Sequence, residues 1–318
     1  MRIVMISQND PAGMGIAFTM AINRYSSHSC RLITTETRYN FGFEKDLHLP
    51  NLTEQGLDEA RDILEQADLF HFHLLADEHM NLGPINISDY TKGKKIIHHH
   101  HGHPHFRANP GHYREKYKRL GRKTLVSTPD LLHLLPEATW IPNLVDIDDP
   151  LLMPTPEPEG KTVVIGHSPT RKDLKNTADL EQVVSVLERR RDLPPLHLRI
   201  IENRPHRLCL AEKRNCHLIF DHMQGYYGVS SLESLSQGRP VVAGLDEWNI
   251  GQIKAFTGSE SLPWIIARNT DQLGHALASL AVDSERRQQL GQEARTFMEG
   301  CWHPRRIVRR LSEWYGKV

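Results

Sequence analysis

The sequence predicts an α/β protein made of two Rossmann-like, doubly wound domains facing a cleft. Three observations lead there. Short β-type runs alternate with helical stretches along the whole chain, the pattern of parallel sheets covered on both faces. The length, 318 residues, exceeds one ordinary core and suits two domains of about 150 residues each. Near the midpoint, DIDDPLLMPTPEPEGK is crowded with prolines and acids, so it cannot be a regular element and reads as a linker.

The predicted strands of the first half are 2–7, 31–35, 69–75, 95–99, 123–128 and 139–142. Amphipathic stretches separate them; Leu57, Ala60, Ile63 and Leu64 recur at helical spacing. The rhythm resumes after the linker with strands at 163–168, 198–202, 218–221, 241–243 and 264–267. Leu180, Val183, Val184 and Leu187 mark one helix there, and Leu277, Leu280 and Ala281 another. The expected domains are 1–145, the linker 146–161, a second domain 162–300, and a terminal helix 301–318. The last stretch, HPRRIVRRLSEWYGKV, is basic and reads as a solvated cap on the second domain.

Composition narrows the function classes. Hydrophobic residues are 39% and charged residues 25%, as in folded soluble chains. Lys plus Arg and Asp plus Glu balance at 39 each, so no global field favours nucleic acid, and anion recognition must be local. The four cysteines form no CxxC pair, which argues against a zinc ribbon or a disulfide framework. No apolar run approaches the roughly 20 residues needed to span a bilayer, and the opening MRIVMIS is too short for a signal peptide. The expected compartment is the cytoplasm.

Three segments carry candidate chemistry. In QGYYGVSSLESLSQGRPVVAG, a glycine-rich turn follows a strand and leads into a short helix over about 230–237, with Glu233 in its first turn. Unpaired N–H groups at a helix start suit phosphate, and a nearby carboxylate suits ribose hydroxyls. In VVIGHSPTRKDLKNT, the cations Arg171, Lys172 and Lys175 crowd one loop after a strand, where they can neutralise a departing diphosphate. In ISQNDPAGMGIAFTMA, the pair Gly13 and Gly15 can present backbone N–H groups to an anion. Phe18 stands where a dinucleotide fingerprint needs its third glycine.

The first two segments resemble the donor site of GT-B-fold glycosyltransferases of the glycosyltransferase family 4 type. Glu233 matches the second acid of that family's E-x7-E motif, which holds the ribose. The first acid falls at Gly225, a departure from the pattern. Lys175 matches the family's lysine, with Asn176 where the family commonly has glycine. The resemblance implies that Glu233, Tyr227, Gly228, Ser230 and Ser231 bind the donor, with Gly13 and Gly15 facing its diphosphate. It implies that Lys175 and Arg171 act in catalysis, with His101 at the donor sugar or acceptor hydroxyl. It further implies a metal-independent, retaining transfer from a nucleotide-diphosphate sugar, a substrate rather than a cofactor, to an unknown glycan, lipid-linked or small-molecule acceptor. The alternatives are a non-catalytic nucleotide-sugar-binding or scaffold protein of the same fold, which Gly225 favours, and a sugar-nucleotide epimerase.

The run HHHHGHPHFR, 98–107, invites a metal reading, but strand alternation sends His98 and His100 to one face and His99 and His101 to the other. No carboxylate partner is evident nearby, and no metal is expected. The Asp-x-Asp at 146–148 lies in the linker and reads as chance.

Overall fold

The computed structural model describes residues 1–39 and 41–318. The chain divides into two compact units, Met1–Leu144 with Pro304–Val318, and Val145–His303.

In the first unit the strands are β1 (Arg2–Ser7), β2 (Ser29–Thr34), β3 (Leu47–His48), β4 (Leu69–His73), the small antiparallel pair β5 (Asn81–Leu82) and β6 (Ile85–Asn86), β7 (Lys95–His100), β8 (Lys123–Val126) and β9 (Thr139–Trp140). All but β5 and β6 form one parallel sheet in the order β3-β2-β1-β4-β7-β8-β9. Its helices are α1 (Met14–Tyr25), α2 (Glu54–Gln66), α3 (Pro104–Ala108) and α4 (Pro110–Leu120). The central strand β4, LFHFH, is buried at all five positions. Alternation sends Phe70 and Phe72 into the apolar core with Val4, Ile6, Ala60 and Leu64. His71 and His73 go to the opposite face, beneath Phe18 of α1 and Tyr315.

The second unit is a parallel sheet in the order β11-β10-β12-β13-β14, formed by β10 (Val163–His167), β11 (Leu196–Ile200), β12 (Leu218–Phe220), β13 (Val241–Ala243) and β14 (Trp264–Ile266). Its helices are α5 (Thr177–Leu187), α6 (His206–Arg214), α7 (Val229–Ser236), α8 (Glu247–Thr257), α9 (Thr270–Val282) and α10 (Ser284–Gly300). Leu180, Val183, Val184 and Leu187 of α5 meet Leu273, Leu277 and Leu280 of α9 in one core against the sheet. β11 starts two residues earlier than the expected 198–202, immediately after Pro194 and Pro195, where the Pro195 carbonyl accepts from Val163 N (2.8 Å).

Two expectations are corrected. The terminal helix α11 (Pro304–Tyr315) belongs to the first unit, not to the second as expected. Its buried Ile307, Val308, Leu311 and Tyr315 recur at helical spacing. Trp314 Nε1 donates to Thr139 Oγ1 at 3.0 Å, and Lys95 Nζ to the Tyr315 carbonyl at 3.3 Å. The proline-rich segment is irregular, as its composition demands, yet it is strapped to the second unit. Arg239 donates to Thr155 and the Pro156 carbonyl, Arg287 pairs with Glu157, and Gln237 donates to the Leu151 carbonyl. Its buried cationic partners could not be read from local composition. Among the described residues, no helix is long and apolar enough to cross a membrane.

Candidate functional site

Two loops of the second unit meet at the carboxyl ends of β10 and β12, the edge at which parallel sheets bind ligands. The first follows β10 and carries Ser168, Arg171 and Lys175; the second follows β12 and leads through Gly225 and Gly228 into α7. Ser168 Oγ lies 2.8 Å from Ser230 Oγ, joining residues 62 apart in sequence. Asn176 adopts the left-handed conformation (φ 54°) that asparagine tolerates better than most residues. Its Oδ1 accepts from Met223 N (2.9 Å) and Gln224 Nε2 (3.1 Å), a second tie between the loops.

The organiser of the second loop is Asp221, which the sequence reading passed over as a strand end. It is buried; its Oδ2 accepts from Gly228 N (2.6 Å) and Ser231 Oγ (2.7 Å), and its Oδ1 lies 3.5 Å from Lys175 Nζ. Burial favours the protonated acid, but His222, Lys175, the Ser231 hydroxyl and the Gly228 amide outweigh it and hold the carboxyl well below its usual range. Gly228 is required by this close approach: a Cβ there would lie 3.0 Å from Asp221 Oδ1 and 3.1 Å from Lys175 Nζ.

Glu233 sits in the second turn of α7, not the first, because the helix begins at Val229. Complementing the helix N-terminus is therefore not its role. It is 7% exposed, and both carboxylate oxygens are engaged: Oε1 lies 2.6 Å from His206 Nε2, and Oε2 accepts from Lys213 Nζ at 2.6 Å. Burial raises its pKa, and the Lys213 and His206 charges override that to hold it at about 2. Lys213, at 1% exposure, is one of the deepest cations in the chain; its Nζ also lies 3.3 Å from the Ser230 carbonyl. The sequence reading missed Lys213 and His206. The available signal was a lysine three residues after the buried Leu210 of α6, on that helix's apolar face.

The remaining candidates divide. Lys175 joins the site through Asp221, and Ser230 through Ser168. Ser231 is buried and its hydroxyl serves Asp221. Arg171 is 44% exposed and pairs with Asp173 on its own loop. Tyr227 is 1% exposed and packs its ring on Trp264 and Trp302, both at 5.6 Å, which is the position of a core aromatic. Gly225 has φ +88°, and a Cβ there would lie 3.1 Å from Asp246 Oδ2, so a residue with a side chain is strained at this position.

In the first unit, the glycine loop meets an anion from its own chain. Asp10 accepts from Gly15 N (3.0 Å) and Ile16 N (2.9 Å), so the Gly15 amide expected to face a ligand is already bonded. Gly13 caps α1 at φ 66°, with a Cβ position only 2.5 Å from the Phe43 ring. The histidine run alternates as expected. His98 does have a carboxylate partner, a correction: its Nε2 lies 2.9 Å from Glu78 Oε2. His100 Nε2 lies 2.7 Å from Tyr117 OH. His101 is half-buried, with its pKa pushed down by burial to about 4, so it is neutral near pH 7.

No family model matches the chain, and no curated protein matches it in sequence. Solved structures do match in fold. Anabaena HepE, solved with UDP and glucose, superposes with a TM-score of 0.69 at 12% identity over 100% of both chains. The sucrose-phosphate synthase of Thermosynechococcus elongatus gives 0.63 at 12% identity, covering 100% of this chain and 99% of that one. The lipopolysaccharide outer core galactosyltransferase WaaB gives 0.53 at 12% identity over 100% of both. The fold is that of the GT-B glycosyltransferases.

Proposed function

We propose that the chain is a glycosyltransferase that moves a sugar from a nucleotide-diphosphate sugar to an acceptor, with the second unit as its donor-binding domain. One observation carries the reading. The Lys175 ammonium, the Ser168–Ser230 pair and the tight Gly228 turn converge where β10 and β12 end and α7 begins. A cation and a helix N-terminus on one spot suit a diphosphate. The UDP, glucose and UDP-glucose complexes of HepE support the same ligand class.

In this reading Lys175 stabilises the diphosphate as the bond from the anomeric carbon to its oxygen breaks and a bond to the acceptor oxygen forms. Arg171 acts beside it once released from Asp173. The ribose hydroxyls take the Glu233 Oε1 acceptor position now used by His206, the more exposed of its two partners at 25%. Asp221 and Lys213 position these groups without touching substrate. In the first unit, Gly13, Gly15 and His101 are the candidates for binding the acceptor. The transfer retains anomeric configuration, as in the glycosyltransferase family 4 type that the motifs resemble, and needs no metal at the donor. The reaction belongs in the cytoplasm, where nucleotide sugars are the donors.

A second reading is favoured by Gly225: a binding or scaffold protein that keeps the donor pocket without turnover. Incubating purified full-length protein with a panel of nucleotide sugars and assaying nucleoside diphosphate release separates the two. Release that is lost in Lys175→Met supports transfer. Donor binding with no release, with and without candidate acceptors, favours the scaffold, and release of nucleotide without any acceptor points to an epimerase.

A further inference from the structure

The imidazoles on one face of the first sheet have no part in the donor chemistry. β4 and β7 are adjacent and parallel, with His73 paired in register to His99 and His71 to Ile97. Strand alternation therefore gathers His71, His73 and His99 on one face, between the sheet, Phe18 and Tyr315. We propose that these three histidines bind a divalent transition-metal ion of the zinc class inside the first unit.

The geometry argues for it. One ring nitrogen from each of the three residues can be chosen so that all lie within 4.8 Å of one another. An ion held by them would draw these nitrogens to about 3.3 Å apart, the spacing that Zn–N bonds of about 2.0–2.1 Å produce at tetrahedral angles. The residues are 0–2% exposed. Among the described residues, His73 Nε2 and His99 Nε2 are buried and have no hydrogen-bond partner. Buried polar atoms are ordinarily satisfied, and two orphans in one cluster indicate something that takes their lone pairs.

On the opposite face of the same strand His98 Nε2 meets Glu78 and His100 Nε2 meets Tyr117, whereas on the inward face the imidazoles meet one another, His71 Nε2 lying 3.3 Å from His99 Nδ1. The supporting groups are also in place. Tyr315 OH lies 2.7 Å from His71 Nδ1, and His101 Nε2 lies 2.9 Å from His73 Nδ1. Contacts of this kind fix the tautomer and orient the other ring nitrogen toward an ion. Neutral imidazole sets select zinc, cobalt, nickel and copper over magnesium and calcium. The ion would sit within the first unit and take no part in donor binding, so loss of this site leaves the transferase reading standing.

The test uses the full chain, stripped with a chelator and titrated with Co²⁺ and then Zn²⁺. The expected result is one equivalent of Co²⁺ with the intense visible absorption of a low-coordinate nitrogen site, displaced by Zn²⁺, and a Tm raised by several degrees. His73→Ala and His99→Ala should each abolish the absorption, while the doubly exposed control His112→Ala/His275→Ala keeps it. X-ray absorption on zinc-loaded wild-type protein gives a readout that needs no variant, and three imidazole nitrogens in the first shell is the expected finding. No tight equivalent, an absorption that survives in His73→Ala/His99→Ala, or a shell with fewer than three imidazoles would overturn the proposal.

Discussion

At the carboxyl ends of β4 and β7 the first unit buries imidazoles that are uncharged and stacked, with His71 and His73 ring centroids 4.3 Å apart. At the carboxyl ends of β10 and β12 the second unit, equally buried, keeps Asp221 and Glu233 ionised against Lys175 and Lys213. Both are polar groups at the same edge of a parallel sheet. What differs is the company. Where like groups cluster, desolvation wins and the neutral form persists. Where opposite charges arrive from different elements, Coulomb attraction and hydrogen bonds override desolvation. A sheet edge thus does not set the charge of its residues; the segments converging on it do.

The comparison is broken most strongly by removing a charge. Lys213→Met leaves Glu233 buried without its main partner and should destabilise the protein by about 3–5 kcal/mol, the usual cost of splitting a buried pair. Calorimetric melting should show a large fall in Tm. The double variant Lys213→Met/Glu233→Leu should recover much of it, and no recovery would mean that Lys213 acts by packing alone.

Acid should separate the two regions. Burial depresses the pKa values of His71, His73 and His99, and holds His101 at about 4, against an ordinary 6.5. Because the folded state disfavours their protonation, the stability they contribute is present above about pH 6.5 and is lost progressively as the pH falls below it. Glu233 is held at about 2 against 4.5, so its contribution is full above about 4.5 and lost only as the pH falls toward 2. Hydrogen exchange should therefore show β4 and β7 losing protection at a higher pH than β12 and α7. Simultaneous loss would contradict the contrast.

Smaller changes sharpen it. Gly228→Ala pushes a methyl against Asp221 and Lys175 and should cost about 1–3 kcal/mol, read as a lower urea midpoint. In the imidazole cluster, Tyr315→Phe removes one hydrogen bond to His71 and should cost about 1 kcal/mol. A loss at Tyr315 larger than that at Gly228 would show that the neutral cluster, not the charged one, is the more tightly constrained.

The same difference explains what could be read in advance. The strand at 241–243 was visible in its apolar run, and the helices at 177–187 and 270–282 in their periodicity, because local pattern records burial. Strand alternation likewise divided His98 and His100 from His99 and His101 without any structure. The pairings were hidden because they are made by distant segments. Lys213 meets Glu233 from another helix, Asp221 meets Lys175 across 46 residues, and Glu78 reaches His98 from the loop after β4. The terminal helix was misplaced for the same reason. Its apolar stripe shows that it packs, but not on which unit.

The central claim is that the second unit holds a nucleotide-diphosphate sugar between Lys175 and Glu233. Isothermal titration of the full chain with UDP-glucose, UDP and the corresponding guanine and adenine nucleotides tests it most directly. The account predicts binding of at least one nucleoside diphosphate, weakened at least tenfold in Lys175→Met and in Glu233→Gln, with the folded content of both variants confirmed by circular dichroism. Nucleotide affinity that is unchanged in both variants would contradict it.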